Sequence, residues 1–429
     1  CNLKTIVTSK ALLEHLKIDL PGKKILLEEF ATQPRIFEKL ASIALWWLPA
    51  RVMTRVLSGG HAPAIDDLAT IIFSSGSTGE PKGVMLSHYN VASNIEQLGQ
   101  TFMFRSQDRL LGVLPFFHSF GFTVTLWLPA ILGIGVVYHY SPLDFNAIGE
   151  LVREYKVTFL LATPTFLQTY VRRCAPEDFG SLQFVLVGAE NLPERVALAF
   201  EDRFGIRPLE GYGCTECAPA VTVNTHDFRA AGFRQVGAKR GKIGHPLPGI
   251  SVRIVDSETG ETLGTDKPGL LLVRGPNIMQ GYLGHSDRTE EVLRDGWYVT
   301  GDIAAMDEDG FLTITDRLSR FSKIGGEMVP HIKVEEKLHE LAGAIETTFL
   351  VTGVPDSQKG ERLVVLHRLA EEQLKAVLAR LGESGMPNLW IPRPNQFYRV
   401  EEFPYLGSGK LDLRAARNLA LERSGDSSD

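Results

Sequence analysis

The run Ser74-Ser75-Gly76-Ser77-Thr78-Gly79-Glu80-Pro81-Lys82-Gly83 follows directly on the apolar segment Ala69-Thr70-Ile71-Ile72-Phe73. Its glycines let backbone approach a ligand closely, its hydroxyls and amides donate to phosphate oxygens, and Lys82 neutralises charge. That combination cradles a polyphosphate. The lysine stands before Gly83 and is followed by strand-like Val84-Met85-Leu86, so the run departs from G-x-x-x-x-G-K-[ST] and a Walker-type NTPase is disfavoured. Four cysteines occur, at 1, 174, 214 and 217. Cys214 and Cys217 make a lone C-x-x-C without the second pair or the histidines of a zinc site, which leaves reduced thiols or a redox pair.

The loop closely resembles the phosphate-binding signature of the acyl-adenylate-forming superfamily, which contains acyl-CoA synthetases, luciferases and peptide-synthetase adenylation domains. Further signatures follow in family order. Leu114-Pro115-Phe116-Phe117-His118-Ser119-Phe120-Gly121 resembles the aromatic motif beside the acid pocket, which implies His118 near the reacting carboxylate. Gly188-Ala189-Glu190 resembles the segment that packs near adenine. Glu210-Gly211-Tyr212-Gly213-Cys214-Thr215-Glu216 resembles the motif that closes the nucleotide site. In that motif Tyr212 can stack on the base, Thr215 can bond the α-phosphate, and Glu216, with Thr78 of the loop, offers hard oxygen to magnesium. Thr300-Gly301-Asp302 resembles the ribose motif, and Asp316-Arg317 the segment whose arginine also reaches ribose. Lys323-Ile324-Gly325-Gly326-Glu327-Met328 follows the interdomain hinge, placed at Arg320. The superfamily usually has glycine at the Asp316 position and aspartate or lysine at the hinge. Pro404-Tyr405-Leu406-Gly407-Ser408-Gly409-Lys410 resembles the C-terminal motif whose lysine reaches the carboxylate and α-phosphate. A compact ammonium suits a transition state in which charge builds on both oxygens.

The likeness sharpens at His118 to Gly121, Tyr212 to Pro219, Gly275 to Leu283 and Gly326 to Val329. These resemble the synthetase half of the bifunctional acyl-[acyl-carrier-protein] synthetase/2-acylglycerophosphoethanolamine acyltransferase family. The resemblance implies ATP and magnesium, a fatty acid, and a thiol borne by acyl carrier protein, with a fused or associated acyltransferase domain as partner. Transfer to CoA would use the same residues, and a non-catalytic nucleotide- or lipid-binding remnant is the reading from another class. Fewer residues precede the loop than the superfamily commonly carries, so the chain is expected to be short at its N-terminus.

These motifs need elements to hold them. From residue 66 onward, strand-like runs at Leu110 to Phe117, Gly133 to Tyr140, Thr158 to Ala162 and Phe184 to Val187 alternate with helical periodicity, as at Phe145, Ile148, Leu151, Val152 and Tyr155. A largely parallel, helix-covered sheet follows. After residue 250 short strands with tight turns predict an antiparallel or barrel-like part. From Leu318, helices at Lys333 to Leu341 and Glu371 to Leu381 flank strands at Thr347 to Val351 and Arg362 to His367. The expectation is an α/β protein: a large N-terminal domain of several subdomains over 1–317, and a small α+β lid over 318–429.

The chain has 429 residues, 44% of them hydrophobic, enough for sizeable cores without disulfides or metals. With 45 basic against 51 acidic residues it offers no broad footprint for nucleic acid. No run is long and apolar enough to span a membrane and no signal core is present, so a cytoplasmic protein is expected. The apolar segment Ile43 to Pro49, flanked by Arg35, Lys39, Arg51 and Arg55, is expected to be a surface helix packed on its own domain. The other reading is a peripheral contact with the inner face of the cell membrane.

Overall fold

The computed structural model describes residues 3–17, 19–32, 36–60, 64–75, 81–317, 320–325, 327–344, 346–356, 358–405 and 411–425. They divide into two compact units, Cys1–Ala64 and Ile65–Asp429. In the first, strands Thr5–Thr8 and Lys23–Leu26 pair in parallel. Helix Lys10–Leu16 starts at Ser9, whose hydroxyl accepts the N–H of Leu12 at 3.0 Å. Helices Ile36–Trp46 and Ala50–Leu57 bury no residue. The segment expected to pack on its own domain is thus helical as far as Trp46, but Trp46 and Trp47 stay 87% and 83% exposed.

The second unit is built on a seven-stranded sheet. Strands Gly135–Tyr138, Arg109–Gly112, Phe159–Ala162, Phe184–Val187 and Leu209–Gly213 run parallel, and Ala220–Val223 and His245–Pro246 add an antiparallel edge. Side chains alternate across a strand, so each apolar strand feeds two cores. Leu111, Leu160, Val185 and Val187 pack under helices Phe145–Tyr155, Pro164–Arg173 and Glu194–Phe204 through Ile148, Leu167, Val196 and Phe200. Leu110, Leu161 and Leu186 meet Val91, Ile95 and Leu98 of helix His88–Phe102 on the other face. That helix begins with a reciprocal cap: Ser87 Oγ accepts the Asn90 N–H at 3.1 Å and Asn90 Oδ1 accepts the Ser87 N–H at 2.9 Å.

Strand Leu68–Ser75 turns back as Pro81–Ser87, and Gly281–Tyr282 pairs on the outer side of the latter. The antiparallel part after residue 250 is a five-stranded sheet of Ser251–Val255, Gly269–Arg274, Trp297–Met306, Leu293–Arg294 and Leu312–Arg317. In the C-terminal part, Phe349–Asp356 pairs antiparallel with Gly360–His367 over eight residues. Phe349, Val351, Leu363 and Val365 face helices His331–Ala342 and Glu371–Leu381, while Leu350, Val364 and Leu366 face Ala416 and Ala420 of helix Leu413–Ser424.

Candidate functional site

The hairpin that carries the glycine-rich loop is in register, Ser75 opposite Pro81 and Ser74 opposite Lys82. Gly76, Ser77, Thr78 and Gly79 of the loop lie outside the described residues, as does the side chain of Ser75. Because Tyr282 pairs with Val84 on the neighbouring strand, its ring comes under the lysine, with Lys82 Nζ 5.0 Å from the ring centroid. The Tyr282 hydroxyl donates to Glu216 Oε1 at 2.9 Å, and the Glu216 carbonyl accepts the N–H of Met279 at 2.8 Å. Segment 279–282 therefore ties Lys82 to the carboxylate expected to meet metal.

Glu216 sits in a single 3₁₀ turn, Thr215–Cys217, between strands Leu209–Gly213 and Ala220–Val223. Its geometry is fixed from several sides. Asn277, wholly buried, donates to the carbonyls of Cys217 at 2.6 Å and Ala220 at 3.1 Å. Buried Asn94 donates to the same Ala220 carbonyl at 2.8 Å and accepts the Ala220 N–H at 3.0 Å. At Gly213 a side chain is impossible, since a Cβ would stand 2.0 Å from the Pro219 carbonyl oxygen.

The other motifs converge on this turn. Buried Ser119 donates from Oγ to Thr215 Oγ1 at 3.3 Å, bringing the aromatic motif against the closing motif. His118 is half-buried, and its Nδ1 accepts the N–H of Phe120 at 3.3 Å, which places the proton of a neutral ring on Nε2. Gly121 opens the following helix with a Cβ position only 2.1 Å from the Pro115 carbonyl oxygen, so no larger residue fits. Gly188 lies against the Gly211 carbonyl and the Phe120 ring. Ala189 takes a positive φ of 70°, and Glu190 Oε2 accepts a hydrogen bond from Thr165 at 3.1 Å.

On the far side of the turn the Tyr212 hydroxyl donates to Asp302 Oδ2 at 2.5 Å. Asp302 is buried, and Arg317 is its Cα partner across the antiparallel pair, so both ribose candidates stand at one register position of the sheet. Burial pushes the Tyr212 phenol well up, with the Asp302 carboxylate adding to the shift. Burial also lifts Glu210 to about 7, against a backbone hydrogen bond from Gly241. Glu210 belongs to the wall behind the turn: its carbonyl accepts from the Asn224 backbone and side chain, both at 2.9 Å.

Two further residues expected at the site belong to the C-terminal part of the chain. Lys323 is exposed on strand Phe321–Ile324, and its N–H donates to Glu361 at 2.8 Å within the C-terminal sheet. Lys410 lies outside the described residues, and the flanking Tyr405 and Leu411 form an antiparallel bridge. Sequence reasoning gave no role to Tyr282, Ser119 or Asn277. Tyr282 was legible only as part of Gly275 to Leu283, because its pairing with Val84 spans most of the unit.

Residues 1–283 match the model of the AMP-binding enzyme family, about two thirds of the chain. The chain belongs to the AMP-binding enzymes. It is an adenylate-forming protein of the superfamily its motifs resemble. The long-chain-fatty-acid–CoA ligase of Bacillus subtilis is 32% identical over 429 residues, 95% of this chain and 73% of the relative. Feruloyl-CoA synthase of an Amycolatopsis species is 33% identical over 355 residues, 81% of this chain and 69% of the relative. Among solved structures, o-succinylbenzoate CoA synthetase of Bacillus subtilis, in complex with ATP and a magnesium ion, superposes with a TM-score of 0.72 at 23% identity. The match covers 95% of this AMP-binding enzyme and 78% of that chain, and it shows the shared fold. Among the described residues no helix is long and apolar enough to cross a membrane.

Proposed function

We propose that this AMP-binding enzyme activates a fatty acid with ATP and passes the acyl group to the phosphopantetheine thiol of acyl carrier protein. The observation that carries the reading is the convergence on one turn: Ser119 on Thr215, Tyr212 on Asp302, and Lys82 reaching Glu216 through Tyr282. Adenine would lie by Gly188, Ala189, Glu190 and Tyr212, ribose by Asp302 and Arg317, and the phosphates along the loop from Ser74 to Lys82. The fatty acid would enter beside His118.

In the first half-reaction a carboxylate oxygen attacks the α-phosphorus, pyrophosphate departs, and acyl-AMP forms. Lys82, Thr215 and Lys410 act on the charge that develops on the phosphate oxygens. Glu216 and Thr78 would hold magnesium, which when bound offsets triphosphate charge. Among the described residues no group of three or more His, Cys, Asp or Glu side chains is placed to hold a metal. One protein carboxylate with substrate phosphates supplying further oxygens is how magnesium is commonly held. In the second half-reaction the thiol sulfur attacks the acyl carbon and AMP leaves. The reading divides the chain into a large domain over 1–317 and a lid over 318–429 that moves about Arg320 between the two steps.

CoA as acceptor is the second reading, favoured by the names of the relatives at 32% and 33% identity. The deciding experiment measures pyrophosphate release across a fatty-acid series, with holo-acyl carrier protein and CoA as alternative acceptors. Pyrophosphate with thioester on the carrier is expected. Thioester on CoA alone would replace the first reading by the second, and release of ADP and phosphate would overturn both.

A further inference from the structure

The turn that presents Thr215 and Glu216 is bounded by two thiols. Cys214 Sγ lies 3.4 Å from Cys217 Sγ, the Cys217 N–H donates to the Cys214 carbonyl at 3.0 Å, and both cysteines are free. Residues joined across such a turn have Cα atoms closer than about 7 Å, within the range that a disulfide spans. Cys217 is wholly buried and Cys214 half-buried, so a small oxidant meets Cys214 first. The adenylation chemistry as read above uses neither sulfur.

We propose that Cys214 and Cys217 form a reversible disulfide that switches off the adenylation site, the off-state resting on the function proposed above. With a peroxide as oxidant the step balances. The Cys214 sulfur attacks one peroxide oxygen, the O–O bond breaks, and water leaves with the thiol proton, giving a sulfenic acid. The Cys217 sulfur then displaces the sulfenic oxygen as a second water. Two thiols lose two electrons in total and one peroxide is reduced to two waters.

The consequence follows from what hangs on the turn. A disulfide brings the sulfurs to about 2 Å, a closure of over an ångström. Between them, Thr215 is held by Ser119, Glu216 by Tyr282 and Met279, and the Cys217 carbonyl by Asn277. The turn cannot tighten without drawing on these bonds, and a displacement of about 1 Å at reacting groups costs on the order of a hundredfold in rate. Burial disfavours the thiolate and slows its reaction with an oxidant, so the switch answers to sustained oxidation.

The test treats the whole purified chain with hydrogen peroxide, then alkylates, digests and weighs the peptide that holds both cysteines, with pyrophosphate release measured in parallel. The expected result is a peptide lighter by about two hydrogens, a rate lower by about a hundredfold, and recovery of both with dithiothreitol. Cys214→Ser should keep its own untreated rate after peroxide, whatever that rate is. Two alkylated thiols after treatment would overturn the proposal, as would a disulfide that leaves the rate unchanged or equal inactivation of Cys214→Ser. A reduced chain that releases no pyrophosphate would instead overturn the adenylation reading, and the peptide mass would then decide the disulfide alone.

Discussion

Side chain and backbone of Glu216 are held by the same short segment, Tyr282 on the carboxylate and the Met279 N–H on the carbonyl. A carboxylate that keeps one oxygen on a fixed donor presents the other in a defined direction, and loss of such a partner typically weakens metal binding ten- to a hundredfold. Tyr282→Phe keeps the ring beneath Lys82 and removes only the hydroxyl. The magnesium concentration for half-maximal pyrophosphate release should rise about tenfold, with the fatty-acid KM little changed. An unchanged magnesium titration would return Tyr282 to a packing role. Glu210 makes a separate prediction. Burial raises it from 4.5 to about 7, so between these values the folded chain holds a proton that the unfolded chain has released. The associated stability is present at low pH and lost as pH rises through that window, by up to about 3 kcal/mol. Glu210→Gln mimics the neutral acid and should remove the slope. In urea unfolding at pH 5 and pH 8, the variant should gain on the parent at the higher pH, and an equal difference at both would refute the shift.

Among elements, those with strong local period were legible. Helix Phe145–Tyr155, strand Phe184–Val187 and helix Glu371–Leu381 stand where apolar spacing puts them, because each core face is written in its own residues. Leu110 to Phe117 reads as one strand, yet the strand ends at Gly112 and the aromatic residues form a turn into the helix that Gly121 opens. There Pro115 cannot donate to a ladder, and the backbone must instead bring Ser119 to Thr215. Pairings such as Tyr282 on Val84 are set by tertiary contacts, which no local pattern carries. The same holds between helices. Asn191 donates to Glu336 at 3.1 Å, Arg195 is drawn electrostatically toward Glu336, and Arg172 pairs with Glu346 at 2.5 Å. These contacts join the helix-covered face of the parallel sheet to helix His331–Ala342 and the turn after it. Exposed pairs of this kind are worth about 1 kcal/mol or less. Glu336→Arg should therefore slow acyl-AMP formation by about two- to fivefold, and Asn191→Asp in the same chain should restore part of the loss. A full rate in the single variant would show that these contacts do not hold the adenylating arrangement.

At the scale of the molecule the question is whether one arrangement serves both half-reactions. Tyr405, which borders the segment of Lys410, lies within electrostatic reach of Glu190, expected beside adenine, and of Glu346, the partner of Arg172. The bridge from Tyr405 to Leu411 returns the chain at once to helix Leu413–Ser424, which packs on the C-terminal sheet. That helix is rooted by Asp412, whose carboxylate accepts the N–H groups of Arg414 and Ala415. A lysine carried on this segment serves acyl-AMP formation if the C-terminal part stays where Asn191 and Arg172 hold it, and is withdrawn if that part turns about Arg320. Lys410→Ala should then lose a contact made in the first transition state only, about 3 to 4 kcal/mol, or a hundred- to a thousandfold in pyrophosphate release. ATP binding should change little. Given preformed acyl-adenylate, the same variant should make thioester at nearly the parental rate, because the ammonium has no part in thiol attack. Equal losses in both half-reactions, with an unchanged melting transition, would mean one static site and no movement about Arg320.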